Sequence, residues 1–321
     1  MATVGRPLRR LVDLLPMPSL RTQRILAGAV VATQGLITVT GAVVRVTASG
    51  LGCPTWPQCF PGSYVPVAVA AVPRIHQAIE FGNRMVTFAV VIAAVLAVLA
   101  VTRARRRTEV LVYAWLMPAS TMVQAVIGGI TVRTGLLWWT VSMHLLVSMT
   151  MVWLSVLLFV KVGEPDADRA GVLHLVPAPL RGLTLLSAVD LAATLVTGTL
   201  VTAAGPHAGD RSADRPVPRL KVEIVTLAHL HESLVIGFVA LLVGLGFGLV
   251  AVRAARPVLV RLAVLVVLAC GQGLVGVVQF FTGVPAALVT LHVAGAVLCT
   301  GAAAALWASM RQRTQPEPLA R

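Results

Sequence analysis

Apolar residues run along this chain in long unbroken blocks, without the strict alternation of a half-buried strand or the one-sided stripe of a surface helix. Eight blocks are about 20 residues long or more, the length a helix needs to cross a hydrocarbon core of roughly 30 Å. They cover approximately 24–46, 76–101, 110–131, 138–160, 182–204, 224–251, 259–281 and 286–309. Short clusters of Arg and Lys separate some of them, and two longer polar stretches, 47–75 and 205–223, separate others. The pattern predicts an all-α integral membrane protein with eight transmembrane helices.

Composition agrees: 57% of residues are hydrophobic and 12% are charged, against about 25% charged in soluble chains. The net charge of +14 does not indicate nucleic acid, because the basic residues sit between apolar blocks and not along one face. The N-terminus, MATVGRPLRR, is basic, and no small-residue cleavage site follows the first block, which reads as a retained span. With the N-terminus in the cytoplasm, most of the 26 basic residues fall inside. The inner clusters are Arg6/Arg9/Arg10/Arg21/Arg24, Arg103/Arg105/Arg106/Arg107, Lys161/Arg169/Arg181, Arg253/Arg256/Arg261 and Arg311/Arg313/Arg321. The positive-inside rule then places both termini in the cytoplasm of a multi-pass plasma-membrane protein. Trp138 and Trp139 mark an outer boundary.

The chain also repeats itself. QAVIGGITVRTGLLWWTVSMH (124–144) aligns without a gap to QGLVGVVQFFTGVPAALVTLH (272–292), pairing Gln124, Gly128, Thr134, Gly135 and His144 with Gln272, Gly276, Thr282, Gly283 and His292. TGAVVRVTASG (40–50) is echoed by TGTLVTAAG (197–205), with a short gap. Two four-span halves that enter the membrane in the same direction predict two tandem four-helix bundles, related by a pseudo-two-fold axis along the membrane normal. The expected organisation is a cytoplasmic tail (1–23), an N-terminal half (24–161), a cytoplasmic linker (162–181), a C-terminal half (182–309) and a cytoplasmic tail (310–321).

The chemistry lies in the outer thirds of the even-numbered spans. HQAIEFGNR (76–84) puts His76, Glu80 and Asn83 on one helical face at the head of the second span. An ionisable group near mid-bilayer costs roughly 2.5–3.5 kcal/mol on the lenient insertion scale, so something must offset it. His144, His229, His231 and His292 lie at similar depth in spans four, six and eight, while His174 and His207 fall in loops and are expected in solvent. Facing imidazoles in a bilayer form a natural haem clamp, and no Cys or carboxylate cluster accompanies them as other metals would require. His229 and His231 point to opposite sides of their helix, so only one can face a given haem. His231 with His292 is the expected pair and His229 the reserve. The repeat offset sets His231 opposite Asn83, a poor iron ligand. Small residues such as Gly128, Gly129, Gly271, Gly273 and Gly276 allow close helix packing. Glu80 is the candidate for proton transfer or for stabilising positive charge, with an ion pair to Arg84 as the alternative. Arg84, Arg74 and Arg45 are candidates to meet haem propionates.

Cys53 and Cys59 share the first outer loop, in GLGCPTWPQCFPG. That compartment permits a disulfide; free thiols or a metal site are the alternatives, and no third ligand is evident nearby. Cys270 and Cys299 lie inside spans and are expected as small buried hydrophobes.

Taken together, the eight spans in two similar halves, the Cys pair in the first outer loop, Glu80 and Arg84 heading span two, and His144, His231 and His292 resemble the haem A synthase family over nearly the whole chain. The Ala/Val/Arg-rich composition looks like an actinobacterial member. The resemblance implies that the C8 methyl group of haem O is oxidised to a formyl group, giving haem A for cytochrome oxidase. It implies a b-type haem in the C-terminal half, substrate haem O in the N-terminal half, and contact with haem O synthase and oxidase assembly factors. The family's first-half motif is Glu-x-x-His-Arg, and this chain departs from it at Asn83. His144 is then the dependable ligand to the substrate iron, with His76 or an open position opposite it. The electron donor and the oligomeric state are left open. The competing readings are a dihaem b-type electron-transfer protein, which predicts two bis-His pairs, and a parallel-repeat transporter, which predicts no haem.

Overall fold

The computed structural model describes residues 12–70, 72–166, 171–211 and 216–314. Arg6, Arg9, Arg10, Arg169 and Arg321 of the expected inner clusters, and the outer parts of both tails, lie outside the described residues. Eight long helices follow one another: α1 Leu20–Val46, α2 Arg74–Arg103, α3 Thr108–Arg133, α4 Trp138–Val162, α5 Ala178–Ala204, α6 Ile224–Ala251, α7 Arg256–Phe281 and α8 Ala286–Ser309. Each is long and apolar enough to cross a membrane. Several run a few residues beyond the apolar blocks. The additions, such as Arg103 on α2 and Arg133 on α3, are end residues whose long stems can lie along the helix while the charge reaches water.

Local signals explain the ends. Ser19 caps α1, its hydroxyl accepting from the Thr22 amide. Pro73, Pro177 and Pro285 stand immediately before α2, α5 and α8, where a missing N–H costs nothing. The exits use left-handed residues, and these recur at the repeat offset: Arg105 with Arg253, Gly135 with Gly283, and Leu136 with Val284. A left-handed conformation at Val284 is costly for a β-branched side chain, so the tight turn there is held by its surroundings. One neighbour is His207, whose Nε2 lies 2.8 Å from the Val284 carbonyl. His207, expected in solvent, is thus half-buried in a loop contact.

Within the first half α1 packs on α2 and α4, and α3 on α2 and α4; within the second, α5 packs on α6 and α8, and α7 on α6 and α8. The two sets meet through α1, α4, α5 and α8. At the end where α1 and α5 finish, Arg45 donates to the carbonyls of Thr202 and His207 (2.9 and 3.0 Å), and the Gly50 amide donates to the Gly209 carbonyl at 2.7 Å. On the other side a two-stranded antiparallel ribbon, β1 Val172–His174 with β2 Arg311–Arg313, ties the linker to the C-terminal segment. Three-residue strands leave no periodic trace, so the apolar blocks gave no hint of it. Below the ribbon Lys161 and Arg311 converge on Glu109, and Arg107 joins Glu109, Glu164 and Asp166.

The two largest apolar clusters occupy the end where α1 begins and α8 finishes. In the first half the cluster contains Ala27, Val30, Ala94, Ala97, Val101, Met117 and Leu158; in the second, Phe238, Leu242, Leu245, Leu262, Leu265 and Leu306. The opposite end is packed more sparsely, with a small cluster of Cys53, Cys59 and Phe60 in the first half. On α7 no residue from Cys270 to Phe281 is buried. Cys270 is exposed, contrary to expectation, on the face of α7 turned away from its buried neighbour Ala269, while Cys299 is buried. Large apolar side chains gather at one end of each set, and His76, His144, His231 and His292 stand toward the other.

Candidate functional site

His231 on α6 and His292 on α8 face each other in the second half, their ring centroids 6.3 Å apart. One iron bonded at about 2 Å to a nitrogen of each ring would separate the centroids by about 6 Å. His231 is held from behind. Its Nδ1 lies 3.0 Å from the Thr194 carbonyl, to which it donates, and 3.1 Å from the Thr197 hydroxyl. That bond selects the tautomer that leaves Nε2 free as a ligand. Gly198 makes room for the ring: a Cβ there would stand 3.1 Å from His231 Cε1. Across the gap Gly276 does the same for His292, at 3.2 Å. His292 Nδ1 is buried with no partner among the described residues, an uncommon state for a polar atom. His229 is exposed on the far side of α6, so the reserve ligand does not face this gap.

The first half reproduces these contacts with one substitution. Gln124 Nε2 donates to the His144 carbonyl at 3.1 Å and to Ser148 Oγ at 2.6 Å, and Gln272 Nε2 donates to the His292 carbonyl. Gly128 lies under His144 as Gly276 lies under His292. His144 Nδ1, too, is buried without a partner among the described residues. On α1, Thr40 contacts Asn83 (Oγ1 to Oδ1, 2.7 Å) where Thr197 contacts His231. Thr40 also donates to the Ile37 carbonyl as Thr197 does to that of Thr194. Asn83 therefore occupies the same place as His231, with an amide for an imidazole. The glutamines and threonines were visible in the repeat, but nothing in the sequence assigned them a partner.

The rest of HQAIEFGNR turns toward the loop between α1 and α2. His76, half-buried, has Nδ1 2.9 Å from Ser49 Oγ just beyond α1. Glu80 is 5% exposed. Its Oε1 accepts from Arg84 at 2.8 Å and its Oε2 from the Cys53 amide at 3.3 Å. Arg84 donates further to the carbonyls of Cys53, Thr55 and Gln58. The i, i+4 ion pair is formed, and together the pair clamps the loop that the Cys53–Cys59 disulfide closes. Arg133 on α3 donates to the Trp56 carbonyl at 3.1 Å, and a Cβ at Gly129 would run into the Trp56 ring. Of the arginines considered for propionates, Arg84 is turned into this loop and Arg45 into the other half. Arg74 is exposed at the head of α2.

Gly52 is the tightest point of the loop, since a Cβ there would fall on the backbone carbonyl of His76, with Gln77 N 3.0 Å away. Gly52→Ala is expected to push loop and α2 apart at a cost of about 1–3 kcal/mol. Thermal melting in detergent measures it; an unchanged melting temperature would mean the loop does not sit against α2.

Among the described residues no three His, Cys, Asp or Glu side chains converge to hold a bare metal ion. Two facing imidazoles, orphaned ring nitrogens at both sites, small residues beneath each ring and an α7 that buries no side chain from Cys270 to Phe281 suit a haem in place of a bare ion. The COX15-CtaA model, described as cytochrome oxidase assembly protein, matches residues 24–210, more than half of the chain. The match stops short of α6. Two curated relatives, the heme A synthases of Geobacillus thermodenitrificans and Geobacillus kaustophilus (strain HTA426), are each 30% identical over 102 residues. That stretch is 32% of this chain and 30% of the length of each relative. The extent of the family match decides the matter: the chain belongs to the COX15-CtaA family of cytochrome oxidase assembly proteins.

Proposed function

We propose that the chain is a haem A synthase, oxidising the C8 methyl group of haem O to a formyl group by two successive hydroxylations and loss of water. Substrate haem O binds in the N-terminal half on His144. A b-type haem is held in the C-terminal half by His231 and His292. The two halves are tandem four-helix bundles about a pseudo-two-fold axis, with both termini cytoplasmic, the haem sites toward the outer face of the plasma membrane, and haem O synthase and oxidase assembly factors as partners. The observation that carries this reading is the 6.3 Å His231–His292 spacing set against Asn83 in the equivalent place. A symmetrical dihaem cytochrome would want an imidazole at position 83.

When bound in the second half, the haem supplies one-electron transfer. The chain does the rest. Thr194 and Thr197 orient His231, and Gln272 fixes the backbone that carries His292. Gln124 does the same for His144. Asn83, hydrogen-bonded to Thr40, keeps a ligating ring away from the other face of the substrate iron. His76, two turns nearer the outer surface and engaged with Ser49, stands at the rim. Glu80 and Arg84 hold the disulfide loop over this site, with the Glu80 carboxylate as its proton-exchanging group.

Expression with a haem O synthase in a host lacking haem A, followed by chromatography of extracted haems, tests the reading; haem O alone would refute it. Two substitutions in that assay separate the roles of Glu80. Glu80→Gln keeps one of the two acceptors that Arg84 and the Cys53 amide use and holds no exchangeable carboxyl proton, whereas Glu80→Ala loses both acceptors. We expect conversion to fall by about 10²–10⁴-fold in both, the usual worth of a positioned acid or base. Near-normal conversion in Glu80→Gln would leave Glu80 only its structural role.

A further inference from the structure

Asp190 stands near the midpoint of α5, the depth at which a charge is costliest in a bilayer. Its Oδ2 is buried and has no partner among the described residues. It faces α6 at Gly237, where an added Cβ would stand 3.8 Å from Oδ1. One turn along α5 toward the outer side, Thr194 Oγ1 is also buried and unpartnered, and the carbonyl of the same residue accepts from His231. Toward the other side, Ser187 and Thr184 are buried, with Thr184 against Met310 Sδ. Polar side chains at 184, 187, 190, 194 and 197 thus line one side of this helix up to His231. The first half has no counterpart to the carboxylate: by the Thr40–Thr197 correspondence, position 190 answers to Thr33, whose hydroxyl is spent on the Ala29 carbonyl.

Intramembrane carboxylates characteristically mark proton routes. Gly237 is six residues from His231 on α6, about 9 Å along the axis, close enough for charges to interact strongly in a low-dielectric interior. The other titratable groups on the neighbouring helices are few. On α6 they are His231 and, on its exposed side, His229 and Glu232; on α8, His292 and the Cys299 thiol; on α4, His144 and Lys161, far apart along the helix; on α5 itself, Arg181 near its start.

We propose that Asp190 is a proton-binding site coupled to the iron held between His231 and His292. When a one-electron reductant reduces that iron from ferric to ferrous, the Asp190 carboxylate takes a proton from water, and reoxidation releases it. One electron and one proton enter together, so the buried charge is unchanged. The proposal rests on the haem reading above and goes beyond it.

Optical redox titration of the purified haem-loaded protein in lipid nanodiscs, repeated across about two pH units around neutrality, tests it. At a fixed ambient potential the oxidised-to-reduced ratio of the bis-imidazole haem should rise with pH, by up to about tenfold per unit. In Asp190→Asn it should not change with pH, while the haem content and the position of the absorption bands stay those of the parent. Asp190→Glu should restore the dependence. Should Asp190→Asn fail to assemble, the smaller Asp190→Ser carries the same expectation. A pH-independent parent, or an unaltered dependence in the Asn or Ser variant, overturns the proposal and leaves the haem reading standing. A parent that binds no haem refutes the haem reading instead.

Discussion

Replacing His292 with alanine is expected to strip the second half of its haem, and His231→Ala to do the same. The two rings approach from α6 and α8 at a spacing that suits one iron, and no other His, Cys or Met on α5 to α8 is placed to substitute: His229 is exposed on the wrong side of α6, and Cys270 and Cys299 are not at the gap. Loss of one ring leaves a single axial ligand and a void at the more sparsely packed end of the bundle. Haem per protein, measured as the pyridine haemochrome, should fall more than about tenfold in either variant. Thr197→Val should act more gently. It removes a hydroxyl behind His231 but leaves the Thr194 carbonyl, and such outer contacts are worth about 10–100-fold in affinity at most. His229→Ala should leave the haem content unchanged. Retention of haem in His231→Ala with loss in His229→Ala would reverse the assignment and require α6 to be turned by half a rotation.

The spans and the duplication were legible because each writes a long signal. Twenty apolar residues in a row have few other readings, and a Gln, two Gly and a His repeated in register inside apolar helices have fewer. The Asn83–His231 correspondence followed from the same offset, and the shared threonine contacts agree with it. What could not be read was where polar groups turn when several partners compete. Arg84 is a fork with five donors; its number says nothing of whether it meets a propionate or the carbonyls of Cys53, Thr55 and Gln58. Those carbonyls become available only because the loop folds down onto α2, a long-range event. His207 is a similar case, since its partner Val284 lies beyond two further spans. Burial inside a span was equally illegible. Cys270 and Cys299 have the same apolar surroundings in sequence, yet one is exposed and one buried, because they lie on different helix faces: Ala269, next to Cys270, joins Cys299 in the core.

Asn83→His should turn the first half into a second bis-imidazole site and extinguish conversion. Space for the ring is present: a Cβ at Gly41, the counterpart of Gly198, would meet nothing within 4 Å, whereas at Gly198 the His231 ring already fills the room. The means of orienting it are present as well. The Ile37 carbonyl and the Thr40 hydroxyl stand where the Thr194 carbonyl and the Thr197 hydroxyl hold His231. An imidazole installed at position 83 therefore inherits a donor contact that leaves its other nitrogen free for iron. Its partner, His144, is already backed by Gln124 and seated on Gly128. The substrate iron would then carry two protein ligands, and the face that Asn83 leaves without a ring would be closed. The expected result is twice the low-spin haem absorbance per protein, with haem A formation reduced at least about 100-fold. Both are read from one preparation, by spectroscopy and by chromatography of the extracted haem. Full conversion together with a doubled low-spin signal would mean that an open iron face is not what the first half requires, and Glu80 with its loop would have to carry the chemistry unaided. Conversion lost without any change in spectrum would mean instead that the Asn83 amide itself touches the substrate, as its hydrogen bond to Thr40 permits, since that bond occupies Oδ1 and leaves Nδ2 free to donate.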